Sequence, residues 1–352
     1  MSQVQTARAQ HTTVLVVPTG IGAAIGGYAG DALPVARAIA AVTDTLITHP
    51  NVLNGAQLYW PLPNALYVEG YGLDQFAAGR WGLHPVHQNR IGLLLDAAIE
   101  ADLRQRHLQA ADATRATLGL DLTDYVVTDA PLGVTLRTAH SGATWGTIEN
   151  PGSLLRGCER LIEAGAEAFA VIARFPDDED SDALIAYRQG HGVDPLAGAE
   201  AVISHLVVKT FQRPCAHAPA LQPLPLDPTV SPRAAAEEIG YTFLPCVLAG
   251  LSRAPQFAEA SGGGLQAHHV NAAIFPARAF GGSAALSLAQ TGATLIAVDD
   301  NQTKTQVSAG SLGIKAVHVS SYLEAVGVLA CQKASVNWRA LHPQVRPLQK
   351  LP

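Results

Sequence analysis

Polar side chains able to do chemistry recur at the ends of short apolar runs. Thr19, His49 with Asn51, Glu69, Asp96, Asp129, Arg174, Ser252 with Arg253, and Asp299-Asp300-Asn301 each follow a stretch rich in Val, Ile or Leu. His49 is the natural general base among them, because an unperturbed imidazole titrates near neutrality. Its bland alternative is a structural histidine bonded to the next loop. Asp299 and Asp300 could handle a second proton, orient His49, bind a cation or cap a helix. Arg253 beside Ser252, or Arg278, could fix an anionic substrate through a guanidinium fork. Together these residues predict proton-transfer chemistry on a small anionic metabolite, of the isomerase, lyase or hydrolase kind. The alternative is a non-catalytic ligand-binding or scaffold protein using the same pocket.

Two glycine-rich turns could present backbone N–H groups to that anion. The first follows Val14-Leu15-Val16-Val17-Pro18 and contains Thr19, Gly20, Gly22, Gly26 and Gly27. A strand opening through such a turn into a helix is a common anion site. As a dinucleotide fingerprint it fails: Gly20 and Gly22 fit, but Ile25 takes the third glycine position. The next strand ends at Thr48-His49-Pro50-Asn51, with no acid to meet a ribose. As a Walker loop it also fails, since Tyr28 and Ala29 replace Lys and Ser/Thr. Tight helix–strand packing would use the same glycines. The second turn runs from Pro276 through Arg278 to Gly281, Gly282 and Ser283, where Ser283 is also a natural N-cap. No cofactor is therefore expected.

No metal is expected either. Pro85 argues against one helix presenting His84 and His87 together, and the adjacent His268 and His269 would point apart in a strand. Asp178, Asp180 and Asp182 imitate the opening of an EF-hand loop, but Ala183 replaces its glycine and Gln189 its final glutamate. Cys158, Cys215, Cys246 and Cys331 form no Cys-x-x-Cys and read as small buried hydrophobes in a reducing compartment. Gly250 opens no Gly-x-Ser-x-Gly elbow, against a hydrolase serine.

Behind these residues stand elements that must position them. Strands are predicted at Val14–Val17, Thr45–Thr48, Ala65–Val68, Ile91–Leu95, Tyr125–Thr128, Ala168–Ala173, Phe243–Leu248, Val270–Phe275, Thr294–Val298 and Ala316–Val319. Runs this short and continuous fit strands buried on both faces. Helices fit Leu33–Val42, Ile99–Leu118, Leu154–Ala164, Leu196–Val208, Pro232–Ile239, Ser283–Gln290 and Tyr322–Ala334. The alternation predicts an α/β fold: mostly parallel sheets flanked by helices, Rossmann-like, in two lobes. Six prolines from Pro214 to Pro232 argue against a sheet interior. They suggest a connector at 214–232 between lobes at 12–213 and 233–336, with tails at 1–11 and 337–352. A long arm wrapping a partner subunit would read the same way.

Only 15% of the 352 residues are charged, against roughly a quarter in a typical soluble protein, while 48% are hydrophobic. That excludes intrinsic disorder, and leaves too little charge to cover a monomer, so a homo-oligomer is expected. A net charge of −6 without a basic stripe excludes nucleic acid as a partner. Ala9–Gly30 carries no ionised side chain and is long enough to span a membrane. Pro18 and five glycines make it a strand, loop and helix onset instead, with no signal-peptide pattern before it. A cytoplasmic protein without a membrane partner is expected.

Four segments carry a resemblance: Val17–Gly22, His49-Pro50-Asn51-Val52-Leu53-Asn54-Gly55-Ala56, Phe243–Pro255 and Ser321-Tyr322-Leu323-Glu324-Ala325. Nearly the whole chain resembles an uncharacterised domain-of-unknown-function family of cyanobacteria and other microbes. The resemblance implies no reaction; it suggests the cytoplasm of a photosynthetic or related bacterium.

Overall fold

A computed structural model describes residues 10–54, 62–176, 182–238 and 243–350. The acidic run with EF-hand-like spacing, 177–181, lies outside the described residues, as do positions 1–9 of the expected tail. Six parallel strands form the larger sheet: β1 (Thr12–Leu15), β2 (Thr45–Thr48), β3 (Ala65–Tyr67), β12 (Val270–Pro276), β13 (Thr294–Val298) and β14 (Val317–Val319). Their order is β14-β13-β12-β1-β2-β3. The chain winds outward from β1 in one direction and from β12 in the other, as in Rossmann-like sheets, so a crevice opens where the winding reverses. Flanking it are α1 (Leu33–Val42), α2 (Pro50–Leu53), α3 (Gly70–Ala77), α10 (Ser283–Leu288) and α11 (Tyr322–Lys333).

A second parallel sheet, order β10-β9-β5-β6, is inserted between β3 and β12. It comprises β5 (Ile91–Leu95), β6 (Leu122–Val127), β9 (Ala168–Arg174) and β10 (Cys215–Ala220). Around it lie α4 (Ala101–Leu118), α5 (Pro151–Glu163), α6 (Asp182–Arg188), α7 (Ala197–Phe211), α8 (Pro232–Glu238) and α9 (Phe243–Ser252). Two antiparallel pairs complete the insert: β4 (Trp81–His84) with β11 (Gln256–Glu259), and β7 (Val134–Thr138) with β8 (Thr144–Ile148).

One expectation is corrected here. Phe243–Leu248 is not a strand but the start of α9. Leu244, Cys246, Val247, Leu248 and Leu251 are buried all around it, and a helix apolar on every face shows no 3.6-residue period. Pro245 falls in its first turn, where no amide is owed to the helix. The Pro-rich segment 214–232 stays out of a sheet interior but includes regular structure. Cys215–Ala220 is the edge strand β10, and an edge tolerates Pro219. The larger sheet takes strands from both sides of that segment, so it is not divided there. One core runs through both sheets, from Leu15, Ile39 and Leu46 to Leu93, Ile172 and Ala218, with Val247, Leu248 and Leu251 of α9 belonging to it.

Candidate functional site

A cavity of about 540 Å³ lies at the reversal point. Its first wall carries Thr19 after β1, His49 after β2, Glu69 after β3 and Ser283 after β12. The facing wall comes from the insert: Asp194 before α7, Glu200, Ser204 and His205 on α7, and His217 on β10. Leu73, Leu196, Leu221, Leu224, Phe243 and Phe275 supply apolar surface.

Glu69 is the buried centre of this arrangement. Its Oε2 caps α3, accepting from the backbone N–H of Tyr71 (2.8 Å) and Gly72 (3.2 Å). Its Oε1 lies 3.0 Å from Nε2 of His205 and 3.3 Å from Oγ of Ser204. Gly70 permits that approach, because a Cβ there would sit 2.8 Å from His205 Nε2. Burial pushes the Glu69 carboxyl up to about 8, against the pull of its two amide donors. Burial and the neighbouring His217 lower His205 to about 4. Both shifts favour the neutral forms, so the 3.0 Å contact is a hydrogen bond rather than an ion pair.

Ser204 extends the chain of contacts. Nδ1 of His217 is 3.2 Å from its Oγ, and Nε2 of His217 is 3.7 Å from Oε2 of Glu200. Glu200 and Ser204 stand four residues apart on α7 and so share a face. Ser204 is only 2% exposed, which suits a hydroxyl passing a proton and not one attacking a substrate. Asp194 accepts from the Leu196 N–H at 2.8 Å; burial and then the Glu200 charge raise its carboxyl. His49 receives the Val17 N–H on Nε2 at 3.1 Å, and burial lowers it to about 4.

Of the residues singled out in the sequence, the cavity gathers Thr19, His49, Asn51, Glu69, Gly282 and Ser283. Asp299 and Asp300 do not join them: both are exposed, and Asp299 pairs with His318 at 3.3 Å. They follow β13, three strand positions from β2, which is about 14 Å at the usual inter-strand spacing. Arg278 is exposed and donates to Gln306. The Ser252 hydroxyl returns to the Ala249 carbonyl at 2.7 Å, and Arg253 is exposed. None of these lines the cavity.

The glycine-rich turns also serve the fold. In the first, Ala24 donates to the Gln302 carbonyl (2.9 Å), Ile25 to Asn301 (2.9 Å) and Gly26 to Asp31 (2.6 Å). Those amides are spent inside the protein. Cβ atoms at Gly20, Gly22 and Gly27 would lie 2.8, 2.8 and 2.3 Å from Thr144, Gly192 and Ala23. Gly26 must be glycine twice over, since its φ is +89° and a Cβ would strike Val17 at 2.6 Å. Gly281 packs against Val307. An anion does sit at the start of α10, but it is the protein's own: Asp74 accepts from the Ala284 N–H and the Ser283 hydroxyl.

The second sheet's strand ends are structural as well. Asp96 accepts from the N–H groups of Ala98, Leu132 and Arg174. The Arg156 guanidinium holds Asp129 well below the usual carboxylate range. What the sequence reading missed is the facing wall: Asp194, Glu200, Ser204, His205 and His217. The i, i+4 spacing of Glu200 and Ser204 was a signal, though an ordinary solvated helix face has it too. Among the described residues, no three His, Cys, Asp or Glu side chains group to hold a metal ion. Among them, too, no helix is long and apolar enough to cross a membrane.

Comparison with known proteins agrees with the resemblance. Residues 12–342 match the family described as protein of unknown function (DUF3326), and the chain belongs to it. It is 62% identical, over 343 residues, to a protein named an uncharacterized lipoprotein from Synechococcus sp.; the match covers 97% of this chain and 96% of that relative. No solved structure matches.

Proposed function

We propose that this member of the DUF3326 family is an enzyme that moves a proton on a small metabolite bound in the cavity, with Glu69 as the exchanging group. One observation carries the reading: a carboxyl buried at the end of β3, brought near neutrality by burial and touching Ser204 and His205. A group so poised can both give and take a proton at pH 7. Ser204, His217 and Glu200 form a path along which that proton could be returned. His49, Asp299 and Asp300 thus give way to Glu69 as the proposed proton handler. An anionic group on the metabolite would meet Arg188, which lines the same cavity, and not the glycine-rich turns.

The test uses three- to six-carbon oxo and hydroxy acids in D2O, with proton NMR following exchange of carbon-bound hydrogen. The wild type should catalyse exchange in at least one. Glu69→Gln should slow it by about 10²–10⁴-fold, while Asp300→Ala leaves it unchanged. Exchange by Glu69→Gln at the wild-type rate would sink the reading. A non-catalytic ligand-binding protein is the second reading, favoured by His49, whose Nε2 is already occupied. Binding without exchange would select it.

The relative's name makes that protein a lipoprotein. We propose a cytoplasmic placement for this chain on other grounds: its four cysteines are buried and unpaired, as suits a reducing compartment. Recovery of the native protein in the membrane fraction after cell lysis would overturn it.

A further inference from the structure

His49 has one nitrogen whose role the fold dictates and one that it leaves open. A backbone amide can only donate, so the 3.1 Å contact from Val17 N–H requires a bare Nε2. A neutral imidazole then carries its single hydrogen on Nδ1. The backbone that carries the ring is held on both sides. Thr48 donates its hydroxyl to the Leu15 carbonyl at 2.8 Å, pinning β2 to β1, and Pro50 opens α2 directly after it. The residue is 8% exposed and lines the cavity. Among the described residues nothing accepts a hydrogen bond from Nδ1. The residue is thus nine-tenths buried, with an N–H that no described residue accepts, and it lines an open volume.

We propose that His49 is a fixed hydrogen-bond donor, its Nδ1–H binding an oxygen acceptor, a carbonyl or carboxylate, on the small molecule in the cavity. It is a ligand-orienting group and not a base. The role rests on the reading above that the cavity takes a small molecule, but not on Glu69. No bond is made or broken at His49. Its N–H would draw electron density toward the acceptor oxygen, while Glu69 stands on the same wall at the end of the neighbouring strand β3. The same donor selects against an ammonium group, since two donors cannot pair.

Long-range ¹H–¹⁵N correlation of the full chain tests the tautomer. Between about pH 5.5 and 8.5, a range bracketing an unperturbed imidazole, His49 should keep hydrogen on Nδ1 and none on Nε2. Three probes share one skeleton: 4-phenylbutan-2-one, 4-phenylbutyrate and 4-phenylbutylamine. The ketone or the carboxylate should move the Nδ1–H resonance and raise Tm, because ligands of the native state stabilise it; the amine should do neither. His49→Phe should weaken the bound probe about tenfold. His49→Asn, which offers both an acceptor for Val17 and a donor for the probe, should recover part of that loss and guards against a folding defect. Hydrogen on Nε2, titration within the range, no response to either acceptor, or an equal response to the amine would each overturn the proposal. Unchanged probe binding in Glu69→Gln, alongside undiminished exchange, would remove the Glu69 reading and leave this one standing.

Discussion

At the level of single residues, Glu69 and His49 have opposite pH signatures. Burial raises the Glu69 carboxyl from 4.5 to about 8, so the native protein keeps a proton that the unfolded chain releases. Its stabilising effect is whole below the lower value and is lost as pH rises through the upper one. Wild-type protein should therefore lose about 2–4 kcal/mol between pH 5 and 8.5 through this group. Glu69→Gln keeps an acceptor for Tyr71 and Gly72 and should flatten that slope in urea denaturation. Parallel profiles would mean that Glu69 is ionised in the native state. His49 acts the other way. Its value falls from 6.5 to about 4, so the stability it confers while neutral is present above 6.5 and drains away as pH falls toward 4. Glu69 was legible as a polar residue ending an apolar run. Its contacts Ser204 and His205 were not, because they come from about 135 positions further along the chain.

Elements decide whether those residues meet. The β7–β8 hairpin lies backbone-close to α7: a Cβ on Gly198 would stand 2.2 Å from the Thr144 carbonyl oxygen and 2.4 Å from the Trp145 Cα. Thr144 in turn donates to the Asp194 carbonyl at 2.9 Å. Gly198→Ala should thus lift the hairpin off the cavity wall and cost about 1–3 kcal/mol in urea denaturation. Gly282→Ala is the contrast. Its Cβ would meet nothing within 4 Å, and stability should change by no more than about 0.5 kcal/mol. On the opposite rim, Arg233 at the start of α8 pairs with Asp31 at 2.9 Å, while Tyr187 of α6 stacks on Tyr28 with centroids 4.4 Å apart. Arg233→Ala leaves Asp31 largely buried without its cation, and faster limited proteolysis within 182–238 is expected. Equal digestion rates would show that the pair does not hold this rim. None of this could be read from local pattern, which makes a packing glycine look the same as an anion-binding one.

For the molecule as a whole, α9 is the wedge that merges two sheets into one core, and it is the segment that local pattern misassigned. Leu341, Val345 and Leu348 stand 70, 67 and 102% exposed near the C-terminus, and Leu323 on α11 is 80% exposed. Together with the scarcity of charge, this supports self-association, which we propose as the native state. Sedimentation should give a species larger than 36.7 kDa, and a clean monomer would refute it. The sequence by itself determined the α/β class and most strand positions. It also put polar residues at strand ends, because these depend on side-chain alternation and composition over a few neighbouring residues. Tertiary structure alone decided which ends share a cavity. Strand order in the larger sheet reverses at β1 and β12, and the insert carries its own carboxylates and histidines to the opposite wall. That choice rests on sheet order and on packing between distant segments, so Asp299 and Asp300 fell away while Glu200, Ser204, His205 and His217 came in.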